Sequence, residues 1–347
     1  MRAVVIQHTG GPEVLTLEER PVPVPQAGEV QIAVRAAGLN HLDLWVRNGL
    51  PGAGLPIVPG SDGAGVVTAV GAQVAGWAVG DEVLVQPGTF CGTCPACRQG
   101  RENFCPSYGI LGETGDGLLQ EVVSLKPENI YRKPPSLDWP QAASFGLVFL
   151  TAYQMLVERA RLQPGETVLV LGGSSGVGAA AIQIAAGLGA RVIATASPGA
   201  KTEFARSMGA AEVVDHYSDG WHREVVALAG PDKVQVVVEH TGAATWPQSL
   251  RVLGLGGRIV VCGATTGAQV NLELRHLFSK QQTVLGSTMG SLRSFAAVVD
   301  GFAAGRYRPI VDKVFPLTEI AAAHDYLEQS RHAGKVVISL GATTAVN

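Results

Sequence analysis

Apolar and polar positions change rhythm along this chain. Up to about residue 90, short Val/Ile-rich runs at 3–6, 30–34, 63–70 and 82–85 are separated by turn clusters such as Thr9-Gly10-Gly11-Pro12. That spacing predicts a mostly β domain. A further strand-like run covers 119–125. From 167 onward, apolar runs at 167–171, 191–196, 212–214, 234–238, 258–262 and 283–285 alternate with helical patterns at 179–188, 200–208, 221–228 and 246–253. Strands buried on both faces read as continuous apolar runs, so this half is predicted to be a doubly wound parallel sheet. The tail carries a predicted helix at 294–304 and a strand at 334–340 and is expected to return to the first domain. The fold class expected is α/β: a β-rich domain over 1–146, a Rossmann domain over 147–288, and a C-terminal segment, 289–347, that rejoins the first. The last strand of the Rossmann sheet, 283–286, is a sheet edge that a second subunit would continue.

Between the two textures lies a stretch without periodicity, about 88–106. It holds Cys91, Cys94, Cys97 and Cys105, four of the chain's five cysteines, spaced C-x2-C-x2-C-x7-C. Two disulfides or four buried thiols would also account for them, but this is the spacing of metal ligands. Four thiolates close a tetrahedral zinc site with no open coordination position, so one structural zinc is expected and no chemistry from it.

Composition narrows the function. A chain of 347 residues has room for about two domains. The net charge of −3 and pI near 6.2 leave no basic surface for nucleic acid. The cysteine stretch itself offers only Arg98 and Arg101. There is no apolar run of ~18 residues and no leader-like segment before Val4, so neither a membrane span nor a membrane partner is expected. Thiolates kept free for zinc imply a reducing compartment, read as the cytoplasm.

Gly172-Gly173-Ser174-Ser175-Gly176-Val177-Gly178 follows a predicted strand and opens a helix. Small residues there let a backbone approach a pyrophosphate, and the helix N-terminus offers free N–H groups. Gly173, Ser174, Ser175, Gly176 and Val177 are therefore candidate dinucleotide contacts. An NAD site places an acid ~20 residues further on, but Ala196-Ser197 stands there. Ser197, Lys201 and His216 are candidate ligands of a 2′-phosphate, and NADP(H) is favoured over NAD(H). The competing reading makes Ser197 the cap of the next helix, with Pro198 in its first turn.

The cysteine stretch, the glycine loop and the β–Rossmann–β order together resemble the medium-chain, zinc-type alcohol dehydrogenase and quinone reductase superfamily. Gly60-Ser61-Asp62-Gly63-Ala64-Gly65 and Val79-Gly80-Asp81-Glu82-Val83 resemble it too, as does Thr151-Ala152-Tyr153 before Pro164-Gly165. The resemblance implies a GroES-like catalytic domain, an active-site cleft between domains, and a homodimer or homotetramer. In the family's zinc alcohol dehydrogenases, a catalytic zinc sits on Cys, His and a further Cys or acid. The matching positions here are Asn40, Ser61 and the vicinity of Leu147, which cannot replace thiolate and imidazole. A makeshift metal set of His41, Asp43 and Asp62 is the alternative. Gly38-Leu39-Asn40-His41-Leu42-Asp43 resembles instead the zinc-independent quinone and enone reductase branch, whose matching asparagine lies near nicotinamide and substrate. Asn40 and Asp43 also read as a helix capping box, with Asn48-Gly49 as the stop. The resemblance further implies that His41 meets coenzyme phosphates and that Gly263, Ala264, Ser287 and Met289 meet the nicotinamide end. A plain exposed helix position is the other reading of His41. Cys262 reads as a core thiol and His324 as an ordinary helix residue.

The expected activity is NAD(P)H-dependent reduction of a small-molecule quinone or enone. Asn40 and Ser61 orient the substrate oxygen, and Trp45 and Phe149 wall its pocket. Alcohol or aldehyde oxidoreduction, or a non-catalytic NADP(H) sensor, are the rival expectations.

Overall fold

The computed structural model describes residues 1–341, which divide into two units: Met1–Leu147 with the chain from Ser291 onward, and Val148–Gly290. In the first, the strand Val30–Gly38 is central because it is apolar on nearly every position, and Val30, Ile32, Val34 and Ala37 are buried. It pairs antiparallel with Asp62–Val70 on one side and Lys335–Ser339 on the other, in a seven-stranded sheet. In this register Gly38 stands opposite Asp62 in one neighbour and opposite Val337 in the other, so the starts of two distant strands meet at the end of the first. A Cβ on Gly38 would lie 2.2 Å from the Ala143 carbonyl oxygen, which is why no larger residue fits there.

Among the strands of this unit that escape the apolar pattern are Leu15–Glu19 and Val311–Pro316. Both are edge strands with mostly exposed side chains, so neither shows a buried run. The run at 119–125 forms a strand only over Val122–Leu125, because the Leu119 carbonyl accepts from Val4 N–H instead. His324, read as an ordinary helix residue, is wholly buried on the helix Ile320–Glu328. It shares the inward face with Ile320, Ala323 and Leu327 and lies 3.5 Å from the buried Arg47 guanidinium. That guanidinium also pairs with Glu328 at 2.8 Å.

The second unit is a six-stranded, all-parallel sheet: Glu212–Asp215, Arg191–Ala196, Thr167–Val170, Val234–Glu239, Leu253–Val261 and Thr283–Gly286, in that spatial order. This is the doubly wound order 3-2-1-4-5-6, whose ligands bind beyond the carboxyl ends of the strands. Its helices include Gly176–Gly187 and Ala200–Ser207. No helix among the described residues is long and apolar enough to cross a membrane.

Candidate functional site

The four predicted zinc ligands converge. Sγ–Sγ distances are 3.5 Å for Cys94–Cys97, 3.5 Å for Cys91–Cys105 and 4.0 Å for Cys91–Cys97, and all four sulfurs lie within 4.8 Å of one another. A tetrahedral zinc with ~2.3 Å bonds holds its sulfurs about 3.8 Å apart. No disulfide joins them. Backbone N–H groups already point at the sulfurs, Cys94 to Cys91 at 3.3 Å and Ser107 to Cys105 at 3.4 Å. The Thr93 backbone N–H, then that of Cys94, pulls the Cys91 thiol down to about 6. Desolvation and the Cys94 thiol push Cys97 up to about 12. Four crowded sulfurs cannot all ionise unaided, and a dication is the charge that would let them. Among the described residues, this is the one cluster of three or more metal-type ligands. His41, Asp43 and Asp62 form no such set.

At the carboxyl end of Thr167–Val170 the chain makes a tight loop. Gly172 takes φ +56, its N–H donates to Thr195 Oγ1 at 3.0 Å, and Gly173 N–H donates to the Thr195 carbonyl at 2.7 Å. Ser175 caps the following helix by accepting from Gly178 N–H at 3.0 Å. A Cβ on Gly178 would sit 2.1 Å from the Gly172 carbonyl oxygen, so helix and loop close only with glycine there. A glycine turn of this form opening a helix is the kind of backbone that could hold a pyrophosphate. Ser287 Oγ, after the strand Thr283–Gly286, is a buried hydroxyl with no hydrogen-bond partner among the described residues. Gly263 and Ala264 follow the strand Leu253–Val261, and Met289 is buried, with its sulfur 3.8 Å from Thr151 Oγ1.

Beside the glycine loop, Ser197 follows Arg191–Ala196. It does not cap the next helix: Gly199 at φ +83 is the cap, and the Ser197 carbonyl accepts from Thr202 Oγ1 at 3.0 Å. The cap reading is therefore corrected, because the chain turns on glycine two residues later. Burial, and secondarily the Lys201 ammonium, pull the His216 pKa down, while Asp215 opposes them. Tyr217, which sequence reasoning passed over, is exposed and edge-on to His216 at 4.3 Å.

The third cluster lies in the first unit, where the sheet register brings Asn40, Asp62 and Lys335 together. All three are buried. Lys335 Nζ donates to Asn40 Oδ1 at 2.5 Å and to Asp62 Oδ2 at 2.9 Å. Asn40 Nδ2 donates to Asp62 Oδ2 at 3.1 Å, with a longer contact of 3.4 Å to the Gly38 carbonyl. Leu147 N–H donates to Asp62 Oδ1. Asn40 opens the helix His41–Arg47, whose Asp43 accepts from Asn40 N–H at 2.7 Å and from Gly60 N–H at 2.9 Å. Burial pushes the Asp43 carboxyl up to about 6, against the pull of those two N–H groups and of Lys335. Ser61 is wholly buried and donates to the Leu111 carbonyl at 2.8 Å. His41 lies with its ring centre 6.1 Å from that of His332, and Trp45 is half-buried on the same helix. Phe149 belongs to the other unit and is wholly buried. Lys335 is the residue that sequence reasoning missed. Its one signal was a lysine opening an otherwise apolar strand, Lys335-Val336-Val337-Ile338.

The fold agrees with the comparisons. Residues 26–135 match the alcohol dehydrogenase GroES-like domain and residues 176–304 the zinc-binding dehydrogenase domain. The chain belongs to the medium-chain dehydrogenase/reductase superfamily and is an oxidoreductase of that type. It is 31% identical to a quinone oxidoreductase of Rattus norvegicus, covering 98% of both chains. It is 33% identical to an acryloyl-coenzyme A reductase of Metallosphaera sedula, over 98% of this chain and 100% of that one. Among solved structures it is similar to an NAD-dependent alcohol dehydrogenase (45% identity, TM-score 0.95, 98% and 100% covered). It is also similar to a crotonyl-CoA carboxylase/reductase in complex with NADP (26% identity, TM-score 0.90, 98% and 94% covered).

Proposed function

We propose that this protein transfers hydride from NADPH to a conjugated acceptor, a quinone or an α,β-unsaturated carbonyl, without a catalytic metal. The observation that carries the reading is the amide, hydroxyl and alkyl chain of Asn40, Ser61 and Leu147, at or near the three positions to which the family resemblance assigns the ligands of a catalytic ion. Such a set provides no Lewis acid to polarise an isolated carbonyl. A conjugated acceptor needs less help, because its oxygen takes up the negative charge as hydride arrives at carbon. Bound along the glycine loop, the reduced nicotinamide would supply that hydride. Asn40 and Ser61 would orient the acceptor oxygen, and a proton from water would complete the reduction. The quinone oxidoreductase and acryloyl-coenzyme A reductase relatives lend support, and the latter extends the acceptor class to unsaturated thioesters.

NADPH is favoured over NADH through Ser197, Lys201 and His216, with one structural zinc on the cysteine cluster. The protomers are proposed to pair through the exposed edge strand Thr283–Gly286 in a homodimer or pair of dimers, in the cytoplasm. A second reading, NAD-linked alcohol oxidation, draws on the likeness to the NAD-dependent alcohol dehydrogenase. A zinc count, with turnover of small quinones, enones and primary alcohols under both cofactors, separates the two. One zinc per chain and chelator-resistant NADPH oxidation by conjugated acceptors are expected. Alcohol oxidation abolished by metal removal, with no activity on conjugated acceptors, would overturn the first reading.

A further inference from the structure

Lys335 is the only charged residue on its strand, and the residues after it, Val336, Val337 and Ile338, are wholly buried apolar side chains. A methionine would fill the same volume without desolvating a charge, so packing alone gives no reason for an ammonium there. What the ammonium does is directional. It donates to Asn40 Oδ1 and to Asp62 Oδ2, and the same Asp62 oxygen accepts from Asn40 Nδ2. The closed triangle fixes which way the Asn40 amide faces: oxygen toward the cation, NH2 away from it. One Nδ2 hydrogen is held by Asp62. The other has only the 3.4 Å contact to the Gly38 carbonyl, which a better-placed oxygen can replace. A cation on the amide oxygen also draws electron density from the nitrogen and makes that remaining N–H a stronger donor.

We propose that Lys335 is a positioning residue of the hydride-transfer site, acting through Asn40. It holds the Asn40 amide in the orientation that presents an N–H to the acceptor oxygen and polarises it for that task. The proposal rests on the reading of Asn40 as the residue that orients the substrate.

The test is a double-mutant cycle on the full-length protein, with Asn40→Ala, Lys335→Met and both together. Steady-state kinetics would use benzoquinone or hexenal with NADPH, or alcohol oxidation if neither is reduced. Each single variant is expected to lower kcat about two- to tenfold with KM for the cofactor unchanged, and the double variant to be no slower than the slower single one. Lys335→Arg, which keeps two donors, should recover part of the loss. If Lys335→Met fails to fold, the cycle is run with Lys335→Met/Asp62→Asn, which removes the stranded charge and keeps an acceptor for the Leu147 N–H. Losses that multiply in the double variant, or a Lys335 variant at the wild-type rate while Asn40→Ala is slow, overturn this proposal alone. An Asn40→Ala enzyme at the wild-type rate overturns the reading beneath it as well.

Discussion

The cysteine cluster and the Asn40 cluster are both knots of polar atoms in the first unit, yet they are assembled in opposite ways. Cys91 to Cys105 lie within one irregular stretch, and backbone N–H groups of that stretch already face the sulfurs. Asn40, Asp62 and Lys335 are 22, 273 and 295 residues apart pairwise, and strand register alone brings them together. The first knot would take a cation from solution. The second carries its own. The two should therefore fail differently when disturbed.

The largest effect is expected at the cysteines. Cys97→Ser, or zinc removal by a chelator, should open residues 88–106 to protease, because metal replaces a local core there. Free energies of zinc binding in small metal-folded peptides reach about 10–16 kcal/mol, so a local loss of several kcal/mol is reasonable. Dinucleotide affinity, measured by fluorescence titration, should hardly move. A protease-resistant Cys97→Ser lobe would put the two clusters on the same footing.

Next comes the stranded charge. Lys335→Met leaves Asp62 buried without its cation, a class of change that costs about 3–5 kcal/mol, whereas Lys335→Met/Asp62→Asn should regain most of that in denaturant midpoints. Equal midpoints for the single and paired variants would deny the ion pair its role.

The buried His324 gives a smaller effect, visible through pH. Burial, and then the nearby Arg47 cation, pull its pKa down from 6.5 to about 3. The unfolded chain therefore binds a proton that the folded one refuses. Stability contributed by the neutral ring is present above pH 6.5 and is lost as pH falls toward 3, at up to about 1.4 kcal/mol per pH unit. Asp43 acts in the opposite sense. Its raised pKa means that stability is full below 3.8 and is lost as pH rises through about 6. His324→Leu should remove the acid loss and leave the Asp43 contribution. An unchanged acid profile in that variant would show that His324 titrates freely.

The smallest effect is expected at the cofactor. NADPH should bind more tightly than NADH, and Lys201→Ala should narrow that gap by about 1–2 kcal/mol, the worth of one charge-assisted contact. Isothermal titration of both cofactors into both proteins measures it. Equal affinities in the unaltered protein would remove Ser197, Lys201 and His216 from a phosphate role.

Legibility in the sequence divides along the same line. The inner Rossmann strands were visible because they are buried on both faces and read as apolar runs, as at Thr167–Val170 and Val234–Glu239. The glycine loop was visible because Gly172 and Gly178 are required by local backbone geometry. Leu15–Glu19 and Val311–Pro316 were not, since exposed edge strands have little apolar signature. His324 looked ordinary because the buried cation that faces it, Arg47, is 277 residues away. Lys335 was invisible as a site residue for the same reason. Nothing near it in sequence says which asparagine its ammonium will meet.

That separation has a consequence for how the protein is made. A ribosome finishes residues 148–290, a unit with its own parallel sheet, before it reaches the strand Lys335–Ser339. Domains fold as they emerge, so the later unit in the chain can be complete while the earlier one still lacks a sheet strand and the cation for Asp62. Nascent chains stalled just before Lys335 should carry a finished nucleotide loop and a first unit whose Asn40 amide oxygen still lacks its cation.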